Sequence, residues 1–202
     1  MPASGRPGQP ARPGQPGQPG QPGQPGRPAR SRRAWGWHRL DDQWAARVVA
    51  AAEVRPGELV LDIGAGTGAL TSHLVRAGAR VVAVELHPGR AARLRQRFPD
   101  ITVVQADART IRLPRSTFRV VASPPYEITA DLLRLLLAAG PRLRAADLVL
   151  QRAAVGKYIR KYTGGQHTPR THRLSAGLTL PRRAFHPPPH VDSAVLIIRR
   201  RQ

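Results

Sequence analysis

The chain of 202 residues has no cysteine, which excludes disulfides, thiolate-zinc sites and cysteine nucleophiles together. Lysine is almost missing as well: Lys157 and Lys161 are the only two, so the rest of the 33 basic residues are arginine. Arginine forks onto phosphates and stacks on bases better than lysine does, although a GC-rich genome would produce the same bias. Acidic residues number only 12, leaving a net charge of +21 that repels itself unless a polyanion is the usual partner. Nucleic acid is the first candidate for that partner, and a basic surface kept for solubility is the plainer alternative. No apolar run has signal-peptide or membrane-spanning length; the greasiest, Leu132 to Ala139, is short and interrupted by Arg134. The chain therefore reads as cytoplasmic, with no membrane partner.

Residues 7 to 26 repeat Pro-Gly-Gln almost without interruption, a composition that buries nothing and cannot offset the entropy of ordering. A disordered tail is expected over residues 1–34, a solvated linker rather than collagen, with Arg27, Arg30, Arg32 and Arg33 as a basic hinge. Residues 35–202 then form one domain of roughly 165 residues, an ordinary size for a single core. Asp41 or Asp42 reads as the N-cap of a helix running to about Ala52. From Glu58 onward, short apolar runs alternate with helical periods, the pattern of βα units and a parallel sheet. Strands are expected at 59–63, 80–84, 102–105, 118–122 and 147–151, and helices near 69–77, 88–97 and 128–139. A last pair, 174–180 and 193–199, closes the sheet. The segment after the fifth strand is Gly-rich and reads as a basic loop outside the core.

The first candidate site feature is Asp62-Ile63-Gly64-Ala65-Gly66-Thr67-Gly68-Ala69, between a strand and a helix, where glycines let a ligand lie against the backbone. Gly64, Gly66 and Ala69 also satisfy the dinucleotide fingerprint, so this loop alone leaves an oxidoreductase open. Glu85, about twenty residues on, ends the second strand where a carboxylate accepts hydrogen bonds from ribose hydroxyls. Asp107 follows the third strand, where it can take the amino group of a bound adenine; taken alone it is a turn former. Ser123-Pro124-Pro125-Tyr126 ends the fourth strand. Two prolines stiffen the backbone there, the Pro124 carbonyl and Ser123 Oγ are candidate acceptors, and Tyr126 supplies an aromatic face. Methylating an adenine N6 asks for that set. The lone pair is delocalised into the ring, so preorganised acceptors must draw its two protons aside before it attacks a sulfonium methyl. A stacked Tyr126 adds about 1–3 kcal/mol; a loop stiffener or polyproline ligand is the alternative.

With these motifs in series the chain resembles the Erm family of 23S rRNA adenine-N6 methyltransferases, relatives of the small-subunit rRNA dimethyladenosine transferases, over about Trp35 to Arg199. A further match is Phe185-His186-Pro187-Pro188-Pro189-His190-Val191-Asp192-Ser193-Ala194-Val195, similar to the F-x-P-x-P-x-V-D-S-A-V signature of that superfamily. The resemblance implies a class I, Rossmann-like α/β fold with a mostly parallel seven-stranded sheet, and S-adenosylmethionine as cofactor. It places Leu40, Asp62, Gly64, Gly66, Gly68, Glu85, Leu86, Asp107, Ala108 and Ser123 at the cofactor. Ser123, Pro124, Tyr126 and Phe185 fall at the target base. It implies a monomer acting on 23S rRNA before ribosome assembly is complete, without a metal, and resistance to macrolides, lincosamides and streptogramin B. Methylation of 16S rRNA or DNA is the neighbouring alternative, and a noncatalytic RNA-binding or assembly factor the one from another class.

Three departures from the family pattern stand out. The tetrapeptide begins with Ser123 where Asn is usual, and the usual Gln-containing segment before the cofactor loop reads Gly36-Trp37-His38-Arg39-Leu40. The family normally continues into a helical carboxyl-terminal domain that binds RNA, whereas this chain stops at Gln202. RNA contacts are therefore expected from the Arg-bearing tail and from Arg152, Lys157, Arg160, Lys161, Arg170 and Arg173, giving salt-dependent, sequence-blind affinity. His167 and His172 share that segment without carboxylates or cysteines, so no metal site is expected.

Overall fold

A computed structural model describes residues 38–163 and 171–201. The tail over 1–34, Arg170 and His167 lie outside the described residues. In chain order the elements are β1 (Arg39–Leu40), α1 (Asp42–Ala52), β2 (Leu59–Ile63), α2 (Ala69–Arg76), β3 (Arg80–Glu85), α3 (Pro88–Arg97), β4 (Thr102–Gln105) and β5 (Phe118–Ala122). They continue with α4 (Thr129–Ala138), β6 (Leu143–Gln151), α5 (Arg152–Thr163), β7 (His172–Leu180), β8 (Phe185–His186) and β9 (Ser193–Arg200). Seven strands make one sheet in the order β4-β3-β2-β5-β6-β9-β7. The first five run parallel, and β9 lies antiparallel between β6 and β7. This is the mostly parallel, seven-stranded α/β sheet that the family resemblance implies.

Period-two burial explains why the central strands are mainly apolar, with Asp62 on β2, Arg119 on β5 and Asp147 on β6 as buried exceptions. On β2, Leu61 and Ile63 join the cluster that holds Leu132, Leu133 and Leu136 of α4. Val60 faces the other way, into the cluster of Val48, Val49, Leu70 and Leu74 from α1 and α2. Both faces are covered, so alternation with polar residues has no place there. Helix α1 begins as its sequence indicates: Asp41 is the N-cap, and its carboxylate accepts the Gln43 N–H at 3.0 Å.

Three readings change. The basic segment 152–163 is not a loop but α5, because Val155, Ile159 and Tyr162 recur at i, i+4 and i+7 and pack, with Tyr158, against the α4 cluster. Strand β6 begins four residues earlier than the apolar run suggests, at Leu143. His172 is not on a loop: it is wholly buried on β7, its Nε2 donating to the Leu143 carbonyl at 2.8 Å. An additional two-stranded sheet, β1 with β8, pairs Leu40 with Phe185 and brings the chain before α1 beside the signature segment that follows β8.

Candidate active site

Strand order reverses between β2 and β5, and ligands in such sheets settle at the carboxyl ends flanking that reversal. Four segments of interest lie at that end of the sheet: the glycine loop after β2, Glu85 at the end of β3, Asp107 after β4 and Ser123–Tyr126 after β5. Gly64 sits at φ +77°, and a Cβ there would come within 3.2 Å of Pro125 Cδ and 3.3 Å of Pro124 Cα. The glycine loop and the proline pair thus lie directly on each other, and a side chain at 64 would be strained in this left-handed backbone and would push the prolines away by a few tenths of an ångström. Gly68 has a different reason to be glycine: a Cβ there would stand 2.6 Å from the Phe98 ring that closes α3, so packing rather than a ligand demands it.

Asp62, Gly64, Gly66 and Ser123 line one cleft together with His38, Arg39 and Leu40. Asp62 is buried. Its Oδ2 accepts the Thr71 hydroxyl at 2.6 Å, while its Oδ1 has no hydrogen-bond partner. Burial, reinforced by the nearby Glu85 charge and opposed by the Thr71 hydrogen bonds, pushes its carboxyl up to about 7. Glu85, also buried, accepts the Gly66 N–H at 2.9 Å and the His87 N–H at 2.8 Å, and pairs with Arg90 at 3.2 Å. It therefore ties the glycine loop to β3. Leu86 beside it is 44% exposed, an apolar side chain held in solvent at the sheet edge.

Asp107 is more open and carries a close neighbour that sequence reasoning missed. Arg109 grips it through Nε at 3.0 and 3.1 Å and Nη2 at 2.5 Å, and the Arg109 N–H reaches the same carboxylate at 2.9 Å. These hydrogen bonds hold the Asp107 carboxyl below the usual range. Ala108 turns the other way: its side chain belongs to the core, so it can meet a ligand only through its backbone.

Ser123 and Tyr126 are half-buried and Pro124 is buried. The Tyr126 hydroxyl lies 3.0 Å from Ser193 Oγ, at the start of β9, and its ring stacks with His38 at 6.4 Å between centroids. His38 Nδ1 in turn donates to the Pro187 carbonyl at 2.7 Å. His38 and Ser193 are thus positioned residues that the motifs alone left unassigned; the Ser within V-D-S-A-V is the signal that marks the second. Phe185 needs correction. Placed at the target base by resemblance, it is instead 1% exposed in the core with Leu40, Val48 and Leu180, where β8 pairs with β1. A ring buried there is not free to stack on a base.

The basic residues Arg152, Lys157, Arg160 and Lys161 are exposed on α5, the last three away from its apolar stripe, and Arg173 is exposed on β7. Lys161 lies 5.4 Å from the Tyr162 ring. The Arg152 N–H donates to the Asp192 carbonyl at 3.0 Å, so α5 starts at the loop before β9.

Residues 30–202 match the family model described as "Ribosomal RNA adenine dimethylase". An rRNA methyltransferase of Streptomyces thermotolerans is 40% identical over 175 residues, which cover 80% of this chain and 56% of that protein. The ribosomal RNA small subunit methyltransferase A of Thermosynechococcus vestitus is 37% identical over 84% of this chain and 69% of its own length. Among solved structures, the 23S rRNA methyltransferase ErmE superposes with a TM-score of 0.70 at 35% identity, covering 81% of this chain and 70% of that one. The chain thus spans little more than half the length of its Streptomyces relative.

Proposed function

The chain belongs to the ribosomal RNA adenine dimethylase family, and on that footing we propose that it methylates N6 of one adenine in 23S rRNA, using S-adenosylmethionine. The observation that carries this reading is the seating of Ser123–Tyr126 on the glycine loop, which sets the base-side acceptors against the cofactor-side backbone. A dinucleotide oxidoreductase has no use for that tetrapeptide.

The residues fit such a cofactor. The partnerless Oδ1 of buried Asp62 suits an ammonium donor, the glycine backbone admits close approach, and Glu85 stands where a ribose is held. Exposed Leu86 offers an apolar contact for a purine, and Asp107 accepts its amino group if Arg109 shares or yields the carboxylate. When bound, S-adenosylmethionine supplies an electrophilic methyl on sulfur. Ser123 Oγ and the Pro124 carbonyl would accept hydrogen bonds from the two N6–H groups, drawing them aside so that the nitrogen lone pair can attack, and the surplus N6 proton would pass to solvent once the new C–N bond has formed. Tyr126, its hydroxyl anchored on Ser193, offers its face to a base turned out of the RNA. Their fixed dipoles cost little reorganisation during reaction. No covalent enzyme intermediate is required.

The 23S target, within the macrolide site, is favoured by the likeness to ErmE; resistance to macrolides, lincosamides and streptogramin B follows from it. A monomer acting in the cytoplasm on rRNA before assembly is complete completes the reading. The small-subunit relatives make 16S rRNA the second reading. Tritiated methyl transfer to protein-free 23S and 16S rRNA, with primer extension and an Asp107→Ala control, separates them. A single stop at one adenine of the peptidyl-transferase loop supports the proposal; a stop in 16S rRNA replaces the substrate. RNA binding with no transfer to either makes the chain a binding factor.

A further inference from the structure

A second cleft, of about 420 Å³, lies beside the candidate active site and is lined by Pro181, Arg182, Arg183, Pro188, Pro189 and Asp192. Its walls join Tyr126 by two routes. Pro187, immediately before the proline pair, accepts the His38 Nδ1–H, and the His38 ring lies against Tyr126. Ser193, immediately after Asp192, bonds the Tyr126 hydroxyl. The segment between these anchors is thus pinned at both ends to the ring proposed to hold the target base.

The cleft's chemistry is specific. Three prolines give flat apolar faces with no donors of their own. Arg182 and Arg183 are both exposed at its rim, and neither guanidinium forms an ion pair among the described residues. The one carboxylate, Asp192, is occupied in shaping the turn: its Oδ1 accepts the Arg182 backbone N–H at 3.0 Å. Its carbonyl accepts the Arg152 N–H, so α5 begins where the cleft ends. Two unpaired guanidinia against one carboxylate leave a net positive rim over an apolar floor. That combination suits a nucleotide, whose sugar and base lie on the apolar floor while its phosphate meets the arginine fork.

We infer that this cleft is a subsite for an unpaired nucleotide flanking the target adenine, holding its phosphate through Arg182 and Arg183 so that the adenine is presented to Tyr126. The inference rests on the proposed RNA substrate. It adds the site that sets how far from a helix end the target must lie. Specificity would then come from RNA shape and an available single strand rather than from base edges.

The test pairs an enzyme variant with an RNA variant. Arg182→Ala with Arg183→Ala is compared with the wild type on a stem-loop that carries the peptidyl-transferase-loop adenine, once with its unpaired flanks and once trimmed to the target nucleotide. A control pair, Arg200→Ala with Arg201→Ala, removes the same charge at the far end of β9. On the flanked RNA the cleft variant should raise Kd and KM about tenfold and lower the salt slope by about one to two. Its kcat and S-adenosylmethionine affinity should not change, and on the trimmed RNA it should match the wild type. Equal losses on both RNAs, or in the control pair, would show general charge and overturn the subsite, as would no loss at all. Filter binding reads the same coupling without turnover. Coupling seen in binding but no methyl transfer by the wild type would therefore uphold the cleft and remove the enzymatic reading.

Discussion

Two aspartates, almost equally buried, stand in opposite chemical states. Asp147, in the middle of β6, is 2% exposed and fully engaged: Arg199 reaches its two oxygens at 2.8 and 3.0 Å, and Arg119 adds a contact at 3.4 Å. Arg119 is itself tied to Glu58 at 3.2 Å and to the Ala52 carbonyl at 2.7 Å, so the charge is closed within the fold. Asp62, at the end of β2, is 1% exposed and has one oxygen on Thr71 and the other on nothing. Burial raises both carboxyls, but only Asp147 has cations to oppose it. A buried charge without its counter-charge costs stability and persists where a ligand supplies the missing partner. The difference separates the part of the sheet that holds the fold together from the part that leaves room for chemistry.

The largest expected effect breaks the closed side. Arg119→Ala leaves Glu58 and Asp147 with one fewer cation in the interior, and urea unfolding should show a loss of about 3–5 kcal/mol. Methyl transfer per folded molecule should change little, because none of these groups reaches the candidate site.

Asp62→Asn tests the open side, and the sign differs. The folded-state carboxyl titrates near 7, against 3.8 for the unfolded chain, so the folded state binds the extra proton between those values. The Asp62 contribution to stability is therefore greatest below about pH 4, falls as pH rises towards 7, and is flat above it. At about 1.4 kcal/mol per pKa unit, Asp62→Asn should remove a slope worth on the order of 2–4 kcal/mol across that window. It should equal or exceed the wild type in stability at pH 8 while losing S-adenosylmethionine affinity. Thermal unfolding against pH and calorimetric titration read the two effects, and a wild-type stability flat between pH 4 and 7 would refute the first.

Smaller effects lie outward from Asp62. Tyr126→Ala should lower kcat/KM by about 1–3 kcal/mol, the range of a base stack. Tyr126→Phe keeps the ring and loses only the bond to Ser193, about 0.5–1.5 kcal/mol. Equal losses in the two variants would show that the hydroxyl, not the face, matters. Smallest of all, Arg160→Glu with Lys161→Glu on α5 should weaken RNA binding most at low salt and leave stability within about 0.5 kcal/mol.

Much of this was legible in the chain. The βα alternation gave strand ends within a residue or so for most of the parallel strands, because the interior strands β2, β3 and β5 carry runs of consecutive buried apolar residues. The glycine loop, Glu85, Asp107 and Ser123–Tyr126 were visible as strand-end residues, and the sheet order brings their segments to one edge. Helix α5 was hidden because Gly156 and four cations dilute a three-residue apolar stripe. Phe185 was misplaced because a motif match carries no burial: whether that ring faces a base or the core depends on β8 pairing with β1, 145 positions apart in register at Leu40.

The sequence by itself determined the alternating α/β pattern and put the glycine loop and the tetrapeptide at strand ends, since these rest on local periodicity and on residue types at strand ends. Only the tertiary structure decided that Arg109 occupies Asp107, that Ser193 and His38 hold Tyr126, that Asp147 is neutralised and that Asp62 is not. Each of those facts is a distance between side chains, most of them from segments far apart in the chain, and short-range patterns carry no information about which buried charge finds a partner.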